Sequence, residues 1–171
     1  SIGMEPEQLT PRARDMAPGR RLPPLECIGV GVELAEALDF LHGAGLTHRD
    51  IKPGNVVFVN GRPKLADVGL IGYVKPPEKV TTWAGTPGYM PPLPEPPGTI
   101  VADIYGLGML LYVISTGDRP VSFPKLKTVL MENSQAPQFM RLNSVILKAC
   151  EPKPEERFAS AAELRKALLD I

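Results

Sequence analysis

Asp50, Lys52, Asn55 and Asp67 fall within eighteen residues of one another. The first three sit in the run His48-Arg49-Asp50-Ile51-Lys52-Pro53-Gly54-Asn55, and the fourth in Ala66-Asp67-Val68-Gly69. Asp50 is a carboxylate that can take the proton of an attacking hydroxyl, and Lys52 an ammonium that can neutralise a moving phosphoryl group. Asn55 and Asp67 offer an amide oxygen and a carboxylate, hard ligands of the kind Mg²⁺ accepts while keeping some of its water. Together the four suit phosphoryl transfer. Any one of them alone in a loop is an ordinary solvated or turn residue; it is their joint spacing that is specific. No glycine-rich phosphate loop and no strand lysine precede the run in the 171 residues, so the chain reads as half of an enzyme.

Several elements must position these side chains. Cys27, Val30, Leu34, Leu38 and Leu41 recur at three- and four-residue intervals and predict a helix from Leu25 to His42, stopped by Gly43 and Gly45. Val56 to Val59, Asn60-Gly61, and Arg62 to Ala66 predict a β-hairpin with a two-residue turn. That hairpin would return Asp67 to the side of Asn55. Residues 70–99 show no periodic element, and Pro87, Pro91, Pro92, Pro94, Pro96 and Pro97 exclude a long helix there. A loop of this length inside a compact domain is usually functional. Val101 to Thr116 is apolar nearly all round, as a helix through the domain centre would be, and Gly117 ends it. Pro137 to Ala149 and Ser160 to Leu169 read as further helices, the second opening with a Ser160-x-x-Glu163 capping box. The expected fold class is mainly α with a small β-hairpin.

Composition narrows the function classes. Nineteen Lys+Arg balance nineteen Asp+Glu, so no global field points to nucleic acid or an anionic membrane. The most apolar stretch, Ile100 to Ile114, is short for a membrane span and contains Asp103. The first residues show no signal-peptide pattern, so none is expected, and Cys27 and Cys150 read as core thiols. A cytoplasmic protein without a membrane segment is the expectation.

The motifs resemble the C-terminal, large lobe of a eukaryotic-type (Hanks-type) serine/threonine protein kinase of the bacterial kind, over residues from about Met4 to Ile171. The resemblance implies that Asp50 is the catalytic aspartate and Lys52 the catalytic-loop lysine, in a loop spanning 48–55. Asn55 and Asp67 become the ligands of Mg²⁺ (with Mn²⁺ as an alternative) and so bind ATP. Residues 67–92 become an activation segment, in which Gly85-Thr86-Pro87-Gly88-Tyr89-Met90 is the substrate-facing loop and Thr86 touches Asp50 and Lys52. Asp103, at the start of the central helix, would hold the catalytic loop's backbone, and His48 and Arg157 would be architectural. Arg49, before the catalytic aspartate, is arranged as in kinases switched on by loop phosphorylation, with Thr81 and Thr82 as candidate phosphosites. Residues 1–24 would form the hinge and lead-in, with Met4-Glu5 at the hinge, and 25–171 the lobe. The small N-terminal lobe is absent from these residues and becomes an expected partner, beside a protein substrate.

Two departures from the family pattern stand out. Val68 replaces the usual aromatic after the metal-binding aspartate. Pro91-Pro92-Leu93 stands where the family has Ala-Pro-Glu, which removes the glutamate that pairs with the position of Arg157. Glu95, two residues on, is the candidate replacement, because a buried arginine without a partner is costly. Two other readings stay open. One is a catalytically silent half-kinase serving as a protein-binding scaffold. The other is a small-molecule phosphotransferase sharing a His-x-Asp-x-x-x-x-Asn loop, against which the 85–90 loop and the Asp103 helix speak.

Overall fold

The computed structural model describes Met16, residues 19–76, Lys79 and residues 83–171. The Met4-Glu5 hinge, most of the lead-in, and Thr81 and Thr82 lie outside the described residues, as does the side chain of Val68.

Helix α1 (Pro24–Gly43) begins with a proline at its first turn, where the missing N–H is harmless, and buries Cys27, Ile28, Val30, Leu34 and Leu38. Strand β1 (Leu46–Thr47) follows, then the 48–55 loop, closed by a 3-10 turn over Pro53–Asn55. Strands β2 (Val56–Val59) and β3 (Arg62–Leu65) pair antiparallel around Asn60-Gly61, with Val56 opposite Leu65 and Val59 opposite Arg62. Both turn residues have positive φ, 49° and 76°, as the tight hairpin turn requires.

A second ladder was not anticipated. Strand β4 (Gly72–Tyr73) pairs antiparallel with β1, Thr47 opposite Gly72. Two-residue strands carry no periodic signal, so pattern reading passes over them. The ladder ties the stretch after Asp67 to the stretch before His48.

Helix α2 (Ile100–Thr116) is the axis of the molecule. Every residue from Ala102 to Thr116 is buried. Thr99 caps it by accepting from the Ala102 amide at 3.1 Å, and Gly117 ends it in the left-handed region at φ 73°. Gly106 lets the site loops approach this axis: a Cβ there would lie 3.3 Å from the Ile51 side chain and from the Tyr89 carbonyl. Helices α3 (Ala136–Ala149) and α4 (Ala161–Leu169) complete the shell, α4 packing on α1 and α3 on α2. Ser160 caps α4 by accepting from the Glu163 amide, while the Glu163 carboxylate reaches one residue further back, to the Ala159 amide at 2.9 Å. Cys150 sits just past α3, and both thiols are buried and free. The described residues are thus mainly helical, with one hairpin of two four-residue strands and one two-residue ladder beside the candidate site. Among the described residues, no helix is long and apolar enough to cross a membrane.

Candidate active site

The 48–55 loop hangs from α2. Asp103, in the first turn of that helix, accepts from the His48 amide at 2.8 Å through Oδ2 and from the Arg49 amide at 2.9 Å through Oδ1. His42, at the end of α1, lies 2.9 Å from the same Oδ2. Asp103 is 2% exposed, so its charge is satisfied entirely by these donors rather than by water. His48 locks the next link. Its Nε2 donates to the Ala66 carbonyl at 3.1 Å and its Nδ1 accepts from the Asp50 amide at 3.4 Å. One imidazole therefore joins the loop to the end of the hairpin.

Asp50 emerges from this frame 7% exposed. Thr86 donates its hydroxyl to Asp50 Oδ1 at 2.5 Å. Lys52 Nζ donates to Thr86 Oγ1 at 2.7 Å and lies 3.1 Å from Asp50 Oδ2. Asn55 Nδ2 donates to the Asp50 carbonyl at 2.8 Å and to Oδ2 at 2.9 Å. Burial pushes the Asp50 carboxyl up, but the hydrogen bonds from Thr86, Lys52 and Asn55, with the Lys52 charge, outweigh it and hold the group below the usual carboxylate range. A carboxylate kept ionised, with a hydroxyl already on one oxygen, is set up to receive a second proton-bearing oxygen.

The Asn55 amide nitrogen is spent on Asp50, which leaves its oxygen without a hydrogen bond among the described residues. The Ala66 amide donates to the Asn55 carbonyl at 2.7 Å, extending the hairpin ladder by one pair. Asp67 is the next residue. It is exposed, has φ 58°, and accepts from the Gly69 amide at 3.3 Å. Left-handed backbone is tolerated by aspartate better than by most residues. An amide oxygen and a carboxylate from two neighbouring backbone segments fit Mg²⁺, which takes few protein ligands. Among the described residues, no group of three or more His, Cys, Asp or Glu side chains is placed to hold a metal ion.

Arg49 and Arg157 anchor the segment between Asp67 and α2. The Arg49 guanidinium donates to Thr47 Oγ1 at 3.4 Å and to the Tyr73 carbonyl at 3.1 Å. It lies between Gly72 and Gly98: a Cβ at Gly72 would overlap the guanidinium, and one at Gly98 would lie 3.1 Å from its Nε. Arg157 is fully buried and forms a two-pronged pair with Glu95 at 2.8 and 2.6 Å. Its remaining donors go to the carbonyls of Val101, Glu151 and Pro152. The Tyr105 ring lies 5.1 Å from the guanidinium, and burial pushes the Tyr105 hydroxyl up to about 12.

Lys52, Asn55 and Thr86 therefore all contact Asp50, Asp67 is one residue from the Asn55 ladder, and His48, Arg49 and Asp103 form the support beneath. His42 was missed from sequence. A histidine in the last turn of a helix has a bland reading as a favourable cation at the dipole's negative end. Its role here depends on a partner 61 residues away.

The sequence model of the protein kinase domain matches residues 8–171, and the chain belongs to that family. Similar proteins include serine/threonine-protein kinase PknB of Mycobacterium leprae, 31% identical over 166 residues, covering 88% of this chain and 27% of that protein. Serine/threonine-protein kinase PknG of Mycolicibacterium smegmatis is 30% identical over 156 residues, 91% of this chain and 20% of that protein. Serine/threonine-protein kinase Pkn1 of Myxococcus xanthus is 33% identical over 162 residues, 82% and 23% respectively. The chain spans about a quarter of the length of these relatives.

Proposed function

We propose that this chain is the large lobe of a bacterial serine/threonine protein kinase that transfers the γ-phosphate of ATP to a serine or threonine hydroxyl of a protein substrate. The observation that carries the reading is the Asp50 cluster, in which Thr86, Lys52 and Asn55 converge on one ionised carboxylate. Asp50 orients the acceptor hydroxyl and takes its proton as the oxygen bonds to the γ-phosphorus and the bond to the β-phosphate oxygen breaks. Lys52 offsets the negative charge moving between the two oxygens. Thr86 holds Lys52 and Asp50 in register. Asn55 and Asp67 are the residues that would hold Mg²⁺. When bound, that ion would neutralise phosphate oxygens and the leaving diphosphate. Residues 48–55 act as catalytic loop and 67–92 as activation segment. A phosphate on Thr81 or Thr82 would find Arg49 as its cation.

The nucleotide site is completed, in this proposal, by a glycine-rich lobe that these residues do not contain, and the reaction is placed in the cytoplasm. The 171 residues alone should bind Mg-ATP weakly and transfer phosphate negligibly. The test is transfer to a protein substrate by the protein carrying this chain together with such a lobe, compared with its Asp50→Asn variant. Transfer lost in the variant supports the reading, and transfer that survives it overturns the reading. The scaffold alternative drew on the missing glutamate at Leu93. Arg157 nevertheless has a carboxylate partner, supplied by Glu95.

A further inference from the structure

The substrate-facing loop does not stand alone. Gly88, two residues beyond Thr86, has φ 90°, and a Cβ there would lie 2.9 Å from Pro120 Cβ. The turn that follows α2 is therefore seated directly against the loop that touches Asp50. The same turn lines a cleft of about 430 Å³, with Gly19, Gly117, Asp118, Arg119, Ser122 and Lys127 around it. Two cations and one anion line it. The anion is already matched, since Asp118 Oδ1 lies 2.6 Å from Lys127 Nζ. Arg119 is exposed and makes no side-chain hydrogen bond or ion pair among the described residues. Its backbone is fixed as the cap of the Pro120–Ser122 3-10 turn, whose first proline is the residue against Gly88.

A guanidinium held on a rigid turn and left without a carboxylate is a ready partner for one, because its planar fork donates to both oxygens at once. We propose that this cleft is a specificity site that takes an acidic side chain, aspartate or glutamate, of the polypeptide whose acceptor hydroxyl lies at Asp50. The inference rests on the kinase reading, which puts the acceptor beside Thr86. Gly88 and Pro120 set the separation: the acidic residue sits a few residues from the acceptor, on the side of the turn after α2. Unlike the Asp50 cluster, which grips any hydroxyl, Arg119 distinguishes one peptide from another by charge.

The test is binding of fluorescent serine peptides to the 171-residue chain by anisotropy, with Glu, Gln or Lys placed at successive positions around the serine. At low salt, one placement of Glu should bind about threefold to fivefold more tightly than Gln, as for an exposed ion pair, and lose that advantage at high salt. Arg119→Gln should abolish the preference, and Arg119→Glu should transfer it to the Lys peptide. Arg119 is exposed, so an unchanged melting temperature of both variants verifies that they are folded. Equal binding of Glu and Gln peptides at every placement, a preference untouched by Arg119→Gln, or no measurable binding of any peptide overturns the proposal. Failure of the kinase reading appears elsewhere, as phosphate transfer that survives Asp50→Asn.

Discussion

Glu95 and Arg157 meet in a two-pronged ion pair, 62 positions apart in sequence, with the arginine side chain wholly buried and the glutamate one-tenth exposed. Glu95 reaches this point from the proline-rich stretch, and Arg157 from the turn that precedes α4. The pair fastens the end of the 67–92 segment to the helical body.

Glu95→Ala leaves a guanidinium buried without its counter-charge. Breaking a buried pair in this way costs about 3–5 kcal/mol, which in a domain of this size lowers the melting temperature by roughly 10 °C. Glu95→Gln, which keeps the shape and one acceptor, should fall between the two. Thermal unfolding followed by circular dichroism decides it, and an unchanged transition in Glu95→Ala sinks the assignment.

Asp103→Ala removes the acceptor for the His48 and Arg49 amides and for His42 at once. Each buried group left unpaired costs about 1–3 kcal/mol. Hydrogen exchange should report faster opening of residues 48–50 than of the centre of α2. If the loop and the helix lose protection equally, Asp103 is a general packing residue and not the hanger of the loop.

Acid should act through Asp50. Its folded pKa lies below the ordinary 3.8, so the stabilisation from its partners is fully present above that value and disappears as pH falls through the lower, folded one. The stability advantage of the native chain over Asp50→Asn, measured by urea unfolding, should therefore be constant near neutrality and shrink below about pH 3.8. An advantage that grows on acidification would reverse the sign and refute the cluster's charge state.

The two thiols should be inert. Burial pushes Cys27 and Cys150 far above the usual thiol range, and only the thiolate reacts. Ellman's reagent should find neither in the folded chain and both in denaturant. Rapid reaction in the native state would mean that α1 or α3 is not packed as described.

Much of this architecture is legible in the sequence because it is periodic or sterically forced. The spacing of Cys27, Val30, Leu34 and Leu38 gives α1, unbroken apolarity gives α2, and Asn60-Gly61 gives the hairpin that returns Asp67 to Asn55. The rest depends on contacts between distant residues. The β1–β4 ladder is too short to have a period. His42 acquires a role only through Asp103, and the placement of Gly72 and Gly98 around Arg49 requires knowing how two irregular segments approach.

The shifted position of Glu95 bears on how such chains are sorted. Inventories that separate working kinases from decayed ones compare letters at fixed columns, and at Leu93 this chain would score as a loss. The carboxylate stands instead two places further along, in a proline-rich stretch, and still meets the arginine. A census of degenerate members drawn from alignments alone will overcount wherever a charge is retained in space but not in register.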